Sequence, residues 1–336
     1  MATAVPPFEA LARVQDKLAA FATLRELGLP QPSGDVITSA AELGAWRNFP
    51  VYLKTPVGTA CAGVRRLASA ADLTGLPGAW AAAADATGLL AQQPAAGPLV
   101  MLQSVFDRGE LVAFHAAERL REGARGGAGQ KLSLDLPAAR AHLGRLGQHL
   151  DWHGALSADV ISTPDGPVFI DINPRLDEPV NALRAGVDLV APMLDLARRE
   201  PVTSQPPGTA GIRTHQLLLA VLGAAGPTGP AGGSGGPTGR AARAAIASEL
   251  LAACTHRGSY RGSTEELTPQ LWRDPRSLML LAVTSATVLV RPATWTLFAG
   301  GSVTSYAVTP DAWDAIRQHS DVSHLPATDL QRSPTL

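Results

Sequence analysis

Two short segments hold the side chains best suited to chemistry: Ala158-Asp159-Val160, and Phe169-Ile170-Asp171-Ile172-Asn173-Pro174-Arg175. Between them lies Thr163-Pro164-Asp165-Gly166, strong turn chemistry, so 155–172 is expected to fold as a β-hairpin with strands at 155–162 and 167–172. In such a hairpin Asp159 and Asp171 come near one another across the pair. Asn173 shares a face with Asp171, because side chains two apart on a strand point the same way. Two carboxylates on adjacent strands repel unless a cation lies between them, and hard oxygen donors with positions left open for phosphate suit Mg2+. The competing reading is a pair of exposed carboxylates on an ordinary hairpin.

Lysine is rare in a chain that otherwise uses arginine, which draws attention to Lys17, Lys54 and Lys131. Lys54 ends the run Val51–Lys54 and leads into Thr55-Pro56-Val57-Gly58-Thr59-Ala60-Cys61-Ala62-Gly63-Val64. Backbone N–H groups of such a small-residue loop can close over phosphate oxygens while the lysine supplies a point charge. It is not a P-loop, since GxxxxGK[ST] is absent. Lys17 stands in Gln15-Asp16-Lys17-Leu18, and Lys131 ends Gly126-Gly127-Ala128-Gly129-Gln130-Lys131; a surface lysine is the plain alternative for each. Arg119 and Arg121 offer forked donors for a carboxylate, or line a strand rim. Arg213-Thr214-His215 and the polar segment Gly258–Ser263 are weaker candidates.

The elements that position these groups follow from periodicity and punctuation. Leu11, Val14, Leu18, Phe21, Leu24 and Leu27 recur at helical spacing before Gly28 and Pro30, predicting one helix over 8–28. Short apolar runs and an Ala-rich helical stretch at 79–91 then suggest a small α/β unit. Apolar runs at 99–106 and 111–117, a helix at 138–150, the hairpin and a helix at 179–199 make a second unit. Gly226–Gly239, GPTGPAGGSGGPTG, is low in complexity and is expected to be a flexible linker. Beyond it we expect a helix near 240–255, strands within 278–308 and a helix from Thr309-Pro310-Asp311. Leu278–Val290 is the most apolar stretch, but it falls short of the roughly 20 residues of a membrane span and reads as a buried helix or strand.

At 336 residues the chain has room for two or three packed units. A formal charge of −1 argues against a nucleic-acid or membrane-surface binder. Cys61 and Cys254 show no CxxC or Cys/His spacing, so neither a disulfide framework nor a zinc site is indicated. The N-terminus does not read as a secretory signal, and a reducing cytoplasm is the expected location.

These motifs, in this order, resemble the ATP-grasp superfamily over about residues 8–200. Asp16-Lys17 through Leu27-Gly28-Leu29-Pro30-Gln31-Pro32 is similar to its DK…GxPxP segment. Phe49–Lys54 through Gly63-Val64 is similar to its strand, lysine and lid loop, and Asp171-Ile172-Asn173-Pro174-Arg175 to its E-[IM]-N-P-R. The resemblance implies an α/β (α+β) fold in which two α/β subdomains clamp ATP, with an α+β C-terminal region added. On that basis 1–32 is a helical lead-in, 33–100 the lid subdomain, 101–200 the metal and ATP subdomain, and 201–336 the C-terminal region with its loop at 226–239. The resemblance also implies roles. Lys17, Lys54, Gly58, Gly63 and Lys131 would contact ATP phosphates; Met101, Leu102 and Gln103 would form the adenine-binding hinge; Asp159, Asp171 and Asn173 would hold Mg2+ or Mn2+; Arg175 and Lys131 would act on the transferred phosphoryl group.

Three departures stand out. Both metal carboxylates are Asp where Glu is usual, Ser104 replaces a common acidic residue, and the chain starts almost at a helix that in the superfamily follows a further domain. The implied activity is an ADP-forming ligase that activates a carboxylate as an acyl phosphate and passes it to an amine. Its implied partners are small-molecule substrates, with a second copy or another chain supplying the further domain. The alternatives are an ATP-binding subunit without turnover, and a carbamoyl-phosphate synthase-like or carboxylase-type module.

Overall fold

The computed structural model describes residues 4–58, 63–226, 239–266, 275–298 and 308–319. The tip of the expected lid loop (59–62), the body of the expected linker (227–238) and part of the expected strand region (299–307) lie outside the described residues.

The expected helix over 8–28 is two helices, α1 (Phe8–Gln15) and α2 (Lys17–Glu26). Asp16 between them is extended, and its carboxylate accepts from the N–H of Leu18 at 2.8 Å and of Ala19 at 3.2 Å. An internal N-cap therefore restarts the helix and makes Lys17 its first residue. Apolar spacing carries no signal of such a break.

A four-stranded antiparallel sheet follows, built from β1 (Gly34–Ile37), β2 (Val51–Lys54), β3 (Val64–Leu67) and β4 (Leu89–Gln92) in the order β1-β4-β2-β3. Helices α3 (Ala40–Ala45), α4 (Ala70–Thr74) and α5 (Gly78–Ala86) back it, packing Leu43, Leu73 and Ala84 against Val51, Leu53 and Leu89. The Ala-rich helix expected over 79–91 thus ends at Ala86. Gly88 turns the chain at φ 78°, and the fully buried Leu89-Leu90-Ala91-Gln92 becomes an inner strand.

The second sheet has seven strands, β5 (Leu99–Asp107), β6 (Glu110–Glu122), β7 (Ala128–Leu134), β8 (Gly154–Thr163), β9 (Gly166–Asn173), β10 (Arg213–His215) and β11 (Ser263–Glu265). Their order is β11-β10-β7-β6-β5-β8-β9, antiparallel except for β10 with β11. On one face α6 (Pro137–His149) presents Leu143 and Leu146 to Val100, Leu102, Leu156 and Phe169, and α1 and α2 add Val14 and Leu24. The helix expected over 179–199 is α7 (Val180–Arg184) and α8 (Val190–Arg198), separated where Gly186 takes φ 92°. Both pack on Val105 and Val112 of the opposite face.

Helices α9 (Leu217–Ala225), α10 (Gly239–Cys254) and α11 (Pro275–Val290) pack together through Val221, Ile246 and Val288. Of the two alternatives expected for Leu278–Val290, helix and strand, the helix is found, and the described part of 278–308 up to Val290 therefore holds no strand. Nor is it wholly buried, for Met279, Leu280 and Val283 are more than half exposed. Among the described residues no helix is long and apolar enough to cross a membrane.

The contact between α6 and β5 leaves no room for a methyl group. A Cβ on Gly147 would lie 2.1 Å from Cε1 of the fully buried Phe106. Gly147→Ala should therefore destabilise the fold by about 1–3 kcal/mol, read from urea unfolding; an unchanged midpoint would show that this interface is looser than described.

Candidate active site

Strand register assembles the site. Asp159 on β8 lies directly opposite Asp171 on β9, and Ser157 opposite Asn173. On β5, Met101 continues the first row and Gln103 the second. Directly opposed residues face the same way, so these six side chains share one face of the large sheet. The register shifts between Asp159 and Val160, which makes Ile170 the extra residue of a β-bulge.

Two of the three expected phosphate lysines come to this bulge. Lys54, at the end of β2, is buried and donates to the Ile170 carbonyl at 2.5 Å and to Gln92 Oε1 at 2.8 Å. Lys17, at the head of α2, lies 2.7 Å from Asp171 Oδ1. Lys17, Lys54, Gln92 and Asp171 line one cavity between the two sheets. Gly63 closes the neck of the loop after Lys54: its φ is +83°, a Cβ there would meet Thr55 Oγ1 at 2.1 Å, and its carbonyl accepts from the Thr55 N–H at 2.9 Å. Gly58 stands at the other side of that neck, next to the residues not described.

The two carboxylates differ electrostatically. Loss of water pushes Asp171 up, but Lys17 and Lys54 outweigh that and hold it below the ordinary carboxylate range. Asp159 is raised to about 7 by loss of water and by the charges of Asp171 and Asp177. Around them Arg175 donates to Asn173 Oδ1 at 2.8 Å and stands 3.2 Å from Asp177, which accepts from Ser157 Oγ at 2.9 Å.

Lys131, which the resemblance implied as a third cation near the γ-phosphate, is paired with carboxylates. It is buried on β7, 2.7 Å from Glu266 Oε2 and in contact with the carboxylate of Glu178. Glu266 also accepts from Thr214 Oγ1 at 2.5 Å and Gln216 Nε2 at 3.0 Å. Asn181 donates to Thr214 at 2.7 Å, so its carbonyl oxygen is left to accept from His115 Nε2, also at 2.7 Å. Burial keeps His115 below its ordinary pKa and hence neutral. Arg121 is likewise occupied: both its terminal nitrogens meet Glu249, at 2.5 and 2.6 Å, and the Tyr260 hydroxyl joins the same carboxylate. His215 is a core residue, bonded to Ser263 Oγ at 2.8 Å and edge-on to the Tyr260 ring.

The residues expected to form the adenine-binding hinge lie on a strand. Met101, Leu102 and Gln103 lie inside β5, and Leu102 faces the core; the chain crosses between the sheets at 93–98, immediately after β4. An apolar run with a glutamine marks both β4 and β5, and only the pairing distinguishes them. Gln92, Glu178 and Glu266 were not anticipated, and nothing in their local sequence marks them.

The donor set permits a test of the implied metal. Among the described residues no three His, Cys, Asp or Glu side chains are grouped for a metal. Two facing carboxylates and Asn173, with one Asp171 oxygen on Lys17, do not make an all-protein cage. They do fit Mg2+, which is commonly held by one or two carboxylates together with phosphates and water.

A carboxyl whose pKa is higher in the folded state than in the unfolded state favours the fold while protonated. For Asp159 that contribution is complete below about pH 4 and lost as the pH rises to about 7. Asp159→Asn should therefore gain melting temperature relative to the parent between those limits, in chelator, and keep a constant difference above them. Parallel melting curves across the range would contradict it.

No family profile matches the chain, and no curated protein sequence matches it. Solved structures do. The biotin carboxylase domain of Hydrogenobacter thermophilus 2-oxoglutarate carboxylase, bound to MgADP, ADP and bicarbonate, has a TM-score of 0.52 at 17% identity over 63% of this chain and 52% of that chain. Campylobacter jejuni biotin carboxylase gives 0.52 at 20% identity over 62% and 51%. Carboxyaminoimidazole ribonucleotide synthase from Aspergillus clavatus, complexed with ATP, gives 0.54 at 14% identity over 84% and 76%, reaching beyond residue 200. The chain spans about half the length of the two carboxylase chains. At these identities the likeness is one of fold, and the fold is the ATP-grasp fold, built here on a four-stranded and a seven-stranded sheet.

Proposed function

We propose that the chain is an ADP-forming ligase that activates a carboxylate as an acyl phosphate and passes the acyl group to an amine. The observation that carries this reading is the convergence of Lys17 and Lys54, from different elements, on the strand where Asp171 faces Asp159. Two ammonium groups and Asp171 around one cavity, with Asp159 opposite Asp171 in the strand pair, suit a polyphosphate with its divalent cation.

In this reading ATP lies between the sheets. Lys17, Lys54, Gly58, Gly63 and Lys131 meet its phosphates, and Met101, Leu102 and Gln103 are the residues that meet its base. Asp159, Asp171 and Asn173 hold Mg2+, which when bound offsets charge on the phosphate oxygens. A carboxylate oxygen of the substrate attacks the γ-phosphorus, and ADP leaves. Arg175, exposed beside Asn173, meets the negative charge that spreads over the transferred group. The amine then attacks the acyl carbon and phosphate leaves. Loop closure over the cleft protects the acyl phosphate from water.

Two observations favour second readings. Lys131 is already matched by carboxylates, as expected of a subunit that binds ATP without turning it over. The carboxylase domain cited above binds bicarbonate, so bicarbonate belongs among the carboxylates to be tried. A reducing cytoplasm and small-molecule carboxylate and amine substrates complete the proposal.

ADP and phosphate release from Mg2+-ATP should be assayed against amino acids, other carboxylates and bicarbonate, with and without amines. Release should require a carboxylate and fall by about 100-fold or more in Lys54→Ala and Asp171→Ala. ATP binding without release for any pair would favour the non-catalytic reading, and no ATP binding would remove the proposal.

A further inference from the structure

Lys131 is held by two carboxylates that are not equivalent. The Glu266 side chain is 1% exposed and accepts from Lys131, Thr214 and Gln216, with its own N–H bonded to the His215 carbonyl at 2.8 Å. The Glu178 side chain is 37% exposed, although the Oε2 that meets Lys131 is covered, and it lies on the segment that follows β9. Its backbone is fixed independently, because Gln103 Nε2 donates to the Glu178 carbonyl at 3.0 Å. The Glu178 carboxylate can therefore turn away while the main chain stays in place, whereas removing Glu266 would strand buried donors.

Charge makes that turn necessary. Lys131 with two carboxylates carries a net charge of −1, a poor host for a phosphate. With Glu178 turned to water, Lys131 and Glu266 form a neutral pair. Arg119, the cross-strand neighbour of Lys131, adds positive charge on the same face, tempered by Glu122 at 3.5 Å. Returning a partly exposed carboxylate to water costs little, while leaving a buried one unpaired costs much more.

We propose that Glu178 is an exchangeable counter-ion that yields Lys131 to the terminal phosphate of the nucleotide, while Glu266, from the C-terminal region, is the positioning residue that keeps Lys131 in place. This rests on the ATP reading above and adds to it a discrimination between ATP and ADP. Every ATP bound must displace Glu178, so the contact lowers affinity for the triphosphate and leaves the diphosphate, which ends short of Lys131, unaffected. It also gives residues beyond 200 a share in the site.

The test is direct binding of Mg2+-ATP and Mg2+-ADP by calorimetry to the parent chain, Glu178→Gln, Lys131→Met and the double variant. Glu178→Gln should bind ATP about ten-fold more tightly, the size of an ordinary coupling, with ADP affinity unchanged. The gain should vanish on the Lys131→Met background, which separates exchange at Lys131 from a general change in surface charge. Equal gains for both nucleotides, no gain, or a gain that survives in the double variant would overturn the exchange and leave the ATP reading standing. A parent chain that binds neither nucleotide would overturn both.

Discussion

Asp159 and Asp171 stand opposite each other in one antiparallel pair, and their repulsion is the constraint around which the molecule is arranged. Facing carboxylates on a partly buried surface must be offset by cations. The chain supplies those from two distant places, Lys17 at the head of α2 and Lys54 at the end of β2. A lysine in the first turn of a helix works against the helix dipole, so Lys17 is not there for the stability of α2. Asp16 caps the helix next to it, and Asp171 takes its charge. The bulge at Ile170 turns a backbone carbonyl toward Lys54, which ties the small sheet to the edge strand of the large one. The cleft and its charges are thus consequences of the same contacts.

A second polar network attaches the C-terminal residues to the large sheet. Arg121, Glu249 and Tyr260 join β6 to α10, while Lys131, Glu266, Thr214 and Gln216 join β7 to the segment that ends β11. Buried ion pairs of this kind contribute less to net stability than their number suggests, because each charge has first lost its water. What they provide is register: a short strand such as Arg213–His215 has little apolar surface with which to choose its place, and charge complementarity chooses it. Residues beyond 200 consequently contribute to the large sheet, since β10 pairs with β7.

The fold-level likeness to carboxylases and to a carboxyaminoimidazole ribonucleotide synthase concerns the frame. Substrate choice depends on side chains around the cleft, which a shared frame does not dictate. In this chain Arg175 and Asp177 pair at the exposed end of the site, and His115, Asn181 and Thr214 form a hydrogen-bonded chain on the elements next to Lys131. The neutral His115 and its hydrogen-bonded neighbours form a continuous, satisfied network, the kind of support that fixes a nearby cation's position without adding charge.

The sequence by itself determined what depends on neighbours along the chain. Turn residues 163–166 set the hairpin, and alternation put Asp159, Asp171 and Asn173 on one face. The strand ending at Lys54 was legible for the same reason. Local patterns misled where two structures share one pattern: Leu89–Gln92 continues an Ala-rich helix in periodicity yet pairs as a strand, and helical spacing runs unbroken through the cap at Asp16. Only the tertiary structure decided which apolar run lies at the crossing between sheets, and which carboxylates meet Lys131 and Arg121. Glu266 is 135 residues from Lys131, and Glu249 is 128 from Arg121. Charge pairing over such separations leaves no periodicity or spacing to read, because it is chosen by how the strands and helices pack after they form.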